Sequence, residues 1–188
     1  MIIEPEIAIL DACVLYPPRL RDLLLYLAKV GCYDPRWTLE ILEERERALI
    51  RRRKDLSRAQ IKSATIAMNE AFPGALTSID EWPRNLSLPD PKDIHVLAGA
   101  ITCKASIIVT MNLKDFPKKI LSKYAIHAEH PDAFCSRLIK QDPRSGVEAF
   151  LSQIATLKRP PLSPERVLNG LKDAGMLETA GLLNGLLN

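Results

Sequence analysis

Ile7-Ala8-Ile9-Leu10-Asp11-Ala12-Cys13-Val14-Leu15-Tyr16-Pro17-Pro18 is the stretch whose reading decides the fold. Residues 6–10 read as a strand buried on both faces, because Ile7-Ala8-Ile9-Leu10 is a short, continuous apolar run. An aspartate closes the run and two prolines break the backbone soon after. A second run of the same kind, Ser106-Ile107-Ile108-Val109-Thr110, is followed within a few residues by Asp115. Between the two, Leu20, Leu23, Leu24 and Leu27 recur at helical spacing until Gly31 stops them. Residues 33–37 read as a short extended segment. Thr38 caps a helix that runs from Leu39 into the 50s, and Ser57 caps another, striped by Ile61, Ala64, Met68 and Phe72. Residues 73–92 are proline-rich and mostly loop, with room for one strand near 76–79. A small-residue helix at 93–102, a short helix after Pro117, a strand at 125–128 and a helix at 133–140 capped by Asp132 complete the pattern. Strands alternating with helices predict a parallel sheet covered on both faces.

The bulk properties agree with such a domain. The chain has 188 residues, 47% of them hydrophobic, enough for a packed core. Aromatics are only 5%, so that core is mainly aliphatic. A formal net charge of +3 permits a nucleic-acid partner without requiring one. Cys13, Cys32, Cys103 and Cys135 are scattered and form no C-x-x-C pair, which argues for reduced thiols and against a zinc knuckle. Acidic Glu4 and Glu6 stand where a signal peptide would be basic, and no apolar stretch approaches the ~20 residues that span a bilayer. The expectation is a soluble, cytoplasmic protein with no membrane partner.

Composition changes after Gln141-Asp142-Pro143. Residues 144–188 show no strand signal. Val147, Phe150, Leu151 and Ile154 suggest one amphipathic helix, broken by Pro160-Pro161. Ser163-Pro164-Glu165 opens another, Gly175 ends it, and residues 176–187 form a third. The expected organisation is therefore an α/β domain over 1–141 and a helical extension over 142–188. Truncation after Gln141 is expected to leave a folded core. The extension's apolar faces have three destinations open to them: the core, a second copy of the chain in a homodimer, or a partner.

Four acids stand beside the ends of these elements: Asp11, Glu44, Asp93 and Asp115. In a parallel sheet such positions converge at the carboxyl edge of the strands. Converging carboxylates repel one another unless a cation holds them, so a divalent metal site and phosphate-ester chemistry are the first hypothesis. Each acid also has an ordinary use. Asp11 can cap the turn after its strand, Glu44 can be a solvated helix residue, and Asp115 a loop residue. Asp93 can complement a helix dipole, although Asp90 is the better cap. Glu44 shares a helix face with Ile41 and looks inward where Glu43 looks out. Thr110 and Asn112 lie where they can orient a substrate phosphate or a water. His95 reads as a structural or supporting histidine. The basic run Arg51-Arg52-Arg53-Lys54, with Arg45, Arg47 and Arg58 nearby, reads as a solvated helix face or as a track for an RNA backbone or an acidic partner.

Four stretches resemble a known family. They are Leu10-Asp11-Ala12-Cys13-Val14-Leu15-Tyr16-Pro17, residues 37–44, Asp90-Pro91-Lys92-Asp93-Ile94-His95-Val96-Leu97-Ala98, and Val109-Thr110-Met111-Asn112-Leu113-Lys114-Asp115-Phe116-Pro117. In order and spacing they look like the PIN-domain nucleases, and most like the VapC-like toxins of type II toxin–antitoxin pairs. The resemblance covers residues 6 to about 140. It implies a three-layer α/β/α fold, Mg²⁺ or Mn²⁺ as cofactor, and hydrolysis of single-stranded RNA to 5′-phosphate and 3′-hydroxyl ends. It also implies a cognate antitoxin as partner, and assigns the metal-site acids to Asp11, Glu44, Asp93 and Asp115. The Glu43-Glu44 doublet leaves the choice of glutamate dependent on register. Two other functions stay in view. A haloacid-dehalogenase-like phosphatase would use Asp11 as nucleophile but usually has a second aspartate where Cys13 stands. A non-catalytic RNA- or partner-binding domain would keep the fold alone. No glycine-rich phosphate loop is present.

Overall fold

The computed structural model describes residues 5–81, 83–158 and 160–188. The described strands are β1 (Ile7–Leu10), β2 (Asp34–Thr38), β3 (Leu76–Thr77), β4 (Ile107–Val109) and β5 (His127–Glu129). The described α-helices are α1 (Ala12–Leu15), α2 (Pro18–Lys29), α3 (Leu39–Arg52), α4 (Arg58–Ala71), α5 (Ile94–Thr102), α6 (Lys118–Leu121), α7 (Pro131–Gln141), α8 (Pro143–Thr156), α9 (Pro164–Asp173) and α10 (Leu177–Leu187). None of them is long and apolar enough to cross a membrane. By internal contacts the chain divides into two units. One comprises Glu6–Tyr16 with Asp34–Glu129, the other Pro17–Tyr33 with His130–Asn188.

The first unit holds all five described strands, in the order β3-β2-β1-β4-β5, every neighbouring pair parallel. This is the α/β architecture with a central parallel sheet that the sequence predicts. Ala8, Ile9, Leu10, Ile107, Ile108 and Val109 are wholly buried, which is why both inner strands read as unbroken apolar runs. Helix α5 lies against β1, β2 and β4. Gly99 makes that approach fit: a Cβ there would stand 2.6 Å from Thr38 Cγ2 and 2.7 Å from Ile9 Cδ1. The caps act as expected. Thr38 accepts from the Ile41 N–H at 3.3 Å, and Ser57 and Gln60 form a reciprocal capping box on α4. One strand is displaced. Residues 125–128 were the expected position, but Ala125 takes a left-handed conformation, φ +57°, after a 3-10 turn at Ser122–Tyr124, so β5 begins at His127.

The strand order fixes where a site can form. The chain runs from β1 outward to β2 and β3 on one side, then crosses to β4 and β5 on the other. The crevice at the carboxyl ends of β1 and β4 is thus a topological switch point, where open parallel sheets place their ligands.

The second unit is helical, and α2 packs on α8 within it. Two expectations change here. The cap of α7 is His130, whose Nδ1 accepts from the Asp132 N–H at 3.2 Å, and not Asp132. Asp132 instead accepts from the backbone N–H groups of Glu178 at 2.9 Å and Thr179 at 2.8 Å, and so caps α10 from another helix. In α8 the buried face is Gly146, Ala149, Phe150 and Gln153, while Leu151 is exposed. The helix is rotated from the stripe read in sequence because Gly146 lies on Ile139, where a Cβ would meet Ile139 Cγ2 at 2.8 Å. The helix starts at Ser163 and the stops at Gly31 and Gly175, both with positive φ, stand as read.

Candidate active site

Asp11 follows β1 directly, and its backbone N–H donates to the Val109 carbonyl of β4 at 3.1 Å. Its carboxylate makes no capping hydrogen bond. Instead Oδ2 accepts from the Thr110 hydroxyl at 2.7 Å and from the Cys13 thiol at 3.0 Å. The Cys13 sulfur in turn accepts from the Met111 N–H at 3.2 Å, and the Thr110 oxygen from the Asn112 N–H at 3.0 Å. Two adjacent strand ends thus orient one carboxylate through a closed set of donors. Burial raises the Asp11 pKa, outweighing these hydrogen bonds, and repulsion from Glu44 adds to the rise. Burial, with Asp11 beside it, also raises the Cys13 pKa far above the thiol range, so Cys13 is a neutral S–H donor and not a thiolate.

The other acids are carried by three further elements. Asp93 ends a 3-10 turn, Pro91–Asp93, that runs into α5, and its side chain caps nothing; Asp90 does the capping, accepting from the Lys92 N–H at 2.9 Å. The Asp93 pKa is pushed up to about 6, first by burial, then by the charges of Asp11, Asp90, Asp115 and Glu44. Asp115 closes a 3-10 turn, Leu113–Asp115, beyond β4. Asp93 thus feels the charges of the other three predicted acids and of Asp90, and Asp11 feels that of Glu44.

Glu44 and Glu43 take different partners. Glu44 Oε2 lies 3.4 Å from His95 Nε2 of α5, whereas Glu43 pairs with Arg47 at 3.7 Å. His95 Nδ1–H donates to the Lys92 carbonyl at 2.6 Å, which turns Nε2 towards Glu44. The Nε2 contact is long for a hydrogen bond, so charge rather than direct bonding couples the pair. Burial disfavours the charged imidazole, but Glu44 and the Lys92 carbonyl outweigh it and raise the His95 pKa. The same partner holds Glu44 below the ordinary glutamate value against the opposing effect of burial.

Several predicted roles change in detail. Thr110 is wholly buried and its hydroxyl donates to Asp11, so it orients that carboxylate. Asn112 is exposed and contributes its backbone N–H. Arg45 does not belong to the basic surface. It is buried, donating from Nε to the Leu15 carbonyl at 2.9 Å and from Nη1 to Thr65 Oγ1 at 3.3 Å. It thereby satisfies an end carbonyl of α1, the turn that follows Asp11. Arg53 is forked on Asp55, and the Lys54 ammonium donates to the Ile50 carbonyl, while Arg51 and Arg52 are exposed. Cys13 is a functional residue that the sequence reading does not single out from the other reduced thiols. Its position two residues after Asp11, in a tight turn at a strand end, was the available signal.

The profile of the PIN-domain family matches residues 8–114, more than half of the chain. The chain belongs to the PIN-domain family. A second profile, that of the VapC50 C-terminal domain, matches residues 131–185. A curated relative from Mycobacterium tuberculosis (strain ATCC 25618 / H37Rv), named "Putative ribonuclease VapC50", is 38% identical over 80 residues. That alignment covers 43% of this chain and 47% of the relative, so the chain matches about half of that protein's length. This PIN domain is thus VapC-like in both its sheet-bearing and its helical parts. No solved structure matches the chain.

The donor set of this PIN domain suits a hard divalent cation: carboxylate oxygens, with no thiolate among them. Among the described residues no group of three or more His, Cys, Asp or Glu side chains is close enough to cage an ion as the side chains lie. Mg²⁺ does not need a cage, because it keeps several waters and uses one or two carboxylates. Burial, and after it the neighbouring carboxylates, hold the Asp93 pKa up at about 6.

Proposed function

We propose that this PIN domain is a metal-dependent endoribonuclease that cuts single-stranded RNA, and that it is the toxin of a toxin–antitoxin pair. Asp11, Asp93 and Asp115 would hold Mg²⁺ or Mn²⁺, with Glu44 contributing directly or through water. The observation that supports this best is the placing of Asp93 at the switch point of a parallel sheet, where burial first and the charges of Asp11, Asp90, Asp115 and Glu44 after it lift its pKa to about 6. When bound, a divalent cation supplies activation of the attacking water and compensation of charge at phosphorus. The chain's own part is orientation. Thr110 and Cys13 hold one Asp11 oxygen in a fixed direction, so little reorganisation is left for the reaction. His95, pinned by the Lys92 carbonyl, helps to keep Glu44 ionised. The relative's printed name supports ribonuclease chemistry, and the matching C-terminal profile supports a VapC-like assignment. A cognate antitoxin is the partner this reading implies.

The test is cleavage of a labelled single-stranded RNA by purified protein. Cleavage should require Mg²⁺ or Mn²⁺, stop in excess EDTA, and be lost in Asp11→Asn, which keeps the side chain's shape while removing its charge. Undiminished cleavage in EDTA, or in a folded Asp11→Asn protein, rules the mechanism out.

A further inference from the structure

Helix α3 presents one face to a groove of about 620 Å³, and the opposite wall carries Lys92 and His95. Charge is graded along that face. Glu40, Glu43 and Glu44 occupy the first turns, and Arg47 and Arg51 the later ones. Arg47 and Arg51 are four residues apart, hence one above the other at a rise of ~6 Å. The groove is continuous with the site described above, because Glu44 and His95 line both. Its cations are available. The Arg47–Glu43 pair is 3.7 Å long between two largely exposed side chains, a contact worth little. The Arg51 and Lys92 side chains have no ion-pair partner among the described residues. The neighbouring cations are disposed differently: Arg53 is engaged by Asp55, Lys54 folds back on Ile50, and Arg52 lies off the groove.

We infer that Arg47, Arg51 and Lys92 bind the phosphates of single-stranded RNA on one side of the scissile bond, and that the acidic end of the groove receives that bond. This rests on the nuclease reading for the same site and adds the path of the substrate. A polyanion would be drawn to the basic end and could enter the acidic end only where its charge is neutralised. Binding and cutting are thereby assigned to opposite ends of one helix face. The arrangement selects three cations that are not neighbours in sequence and sets aside most of the Arg51-Arg52-Arg53-Lys54 run.

The experiment measures the anisotropy of a fluorescein-labelled single-stranded RNA of mixed sequence bound to full-length Asp11→Asn protein, across a range of NaCl concentrations. Each phosphate contact on a single strand contributes ~0.7 to the slope of log K against log salt. The Arg47→Gln/Arg51→Gln variant should therefore lose ~1.4 from the slope, and Lys92→Gln ~0.7, while Arg52→Gln leaves it unchanged. Wild-type protein in EDTA should give the same slope as Asp11→Asn, which guards against a folding defect in that background. An unchanged slope in the Arg47/Arg51 variant, or an equal loss from Arg52→Gln, overturns the inference. Wild-type cleavage assayed alongside separates the two readings. Absent cleavage with the expected slope losses removes the nuclease and leaves the phosphate track. Intact cleavage with unchanged slopes removes the track alone.

Discussion

At Asp93, burial and four neighbouring carboxylates all push the same way, and the group protonates near pH 6 instead of at the ordinary aspartate value of 3.8. A pKa raised on folding means that the folded state favours the protonated form. Its contribution to stability is complete below about pH 4 and is lost as pH rises through about 6. Asp11 is shifted in the same direction, by burial foremost. Metal-free protein should therefore show a thermal midpoint that falls between pH 4 and pH 7, and Asp93→Asn should flatten that fall. Scanning calorimetry in EDTA across this range is the check, and a midpoint that rises with pH in the wild type would contradict it. Mn²⁺ added at pH 7 should restore the loss by mass action on the folded state. At Glu44 the decisive fact is a partner. Glu44 faces His95, while Glu43 pairs with Arg47 at the surface. Glu44→Gln should lower cleavage at least tenfold, about 1.4 kcal/mol in barrier, and Glu43→Gln by much less. Rates measured at saturating Mn²⁺ decide this, and equal losses would show that the His95 partner does not set Glu44 apart. The sequence offers the reason to separate the two, because neighbours on a helix point ~100° apart and Glu44 shares a face with Ile41, but the His95 partner is a tertiary contact. The thiol that braces Asp11 was not legible in sequence, because a cysteine's hydrogen bond depends on the turn that brings it back to the carboxylate.

At the scale of the element, local signals and tertiary choices separate cleanly. Caps whose partner lies two or three residues away were readable: Thr38, Ser57, Asp90 and Ser163 all act as expected. Asp132 was misread because the N–H groups it accepts from lie 46 and 47 residues away, at the start of α10. Nothing in the local pattern distinguishes a residue that caps its own helix from one that caps another. Asp132→Ala should therefore cost roughly 1–2 kcal/mol, the usual loss for a cap, although α7 keeps its own cap at His130. Urea unfolding followed by circular dichroism measures it. A change below a few tenths of a kcal/mol would mean that α10 gains nothing from the contact. The rotation of α8 has the same origin: Gly146 and Ala149 look neutral in sequence, and only a neighbour that needs a close approach turns them inward.

For the molecule as a whole, the two units cut across the boundary that composition suggests. Helices α2 and α7 belong by contact with residues 142–188, although both precede the composition change after Gln141. Leu20, Leu23, Leu24 and Leu27 on α2 are fully buried, and α8 is among the helices that α2 packs on. Exposing such a face costs on the order of 1.5–3 kcal/mol for each large side chain. Residues 1–141 expressed alone should therefore be poorly soluble or bind a hydrophobic dye strongly. A soluble, cooperatively melting fragment would show that α2 repacks without the extension. What the sequence determined by itself was the parallel α/β class and the two inner strands, read at 6–10 and 106–110 and found at 7–10 and 107–109. Those features rest on short-range periodicity. What only the tertiary structure decided was which donors hold Asp11, which cations line the α3 groove, and which helices close on α2. Those depend on contacts between residues tens of positions apart, and the chain leaves no local trace of such contacts until it is folded.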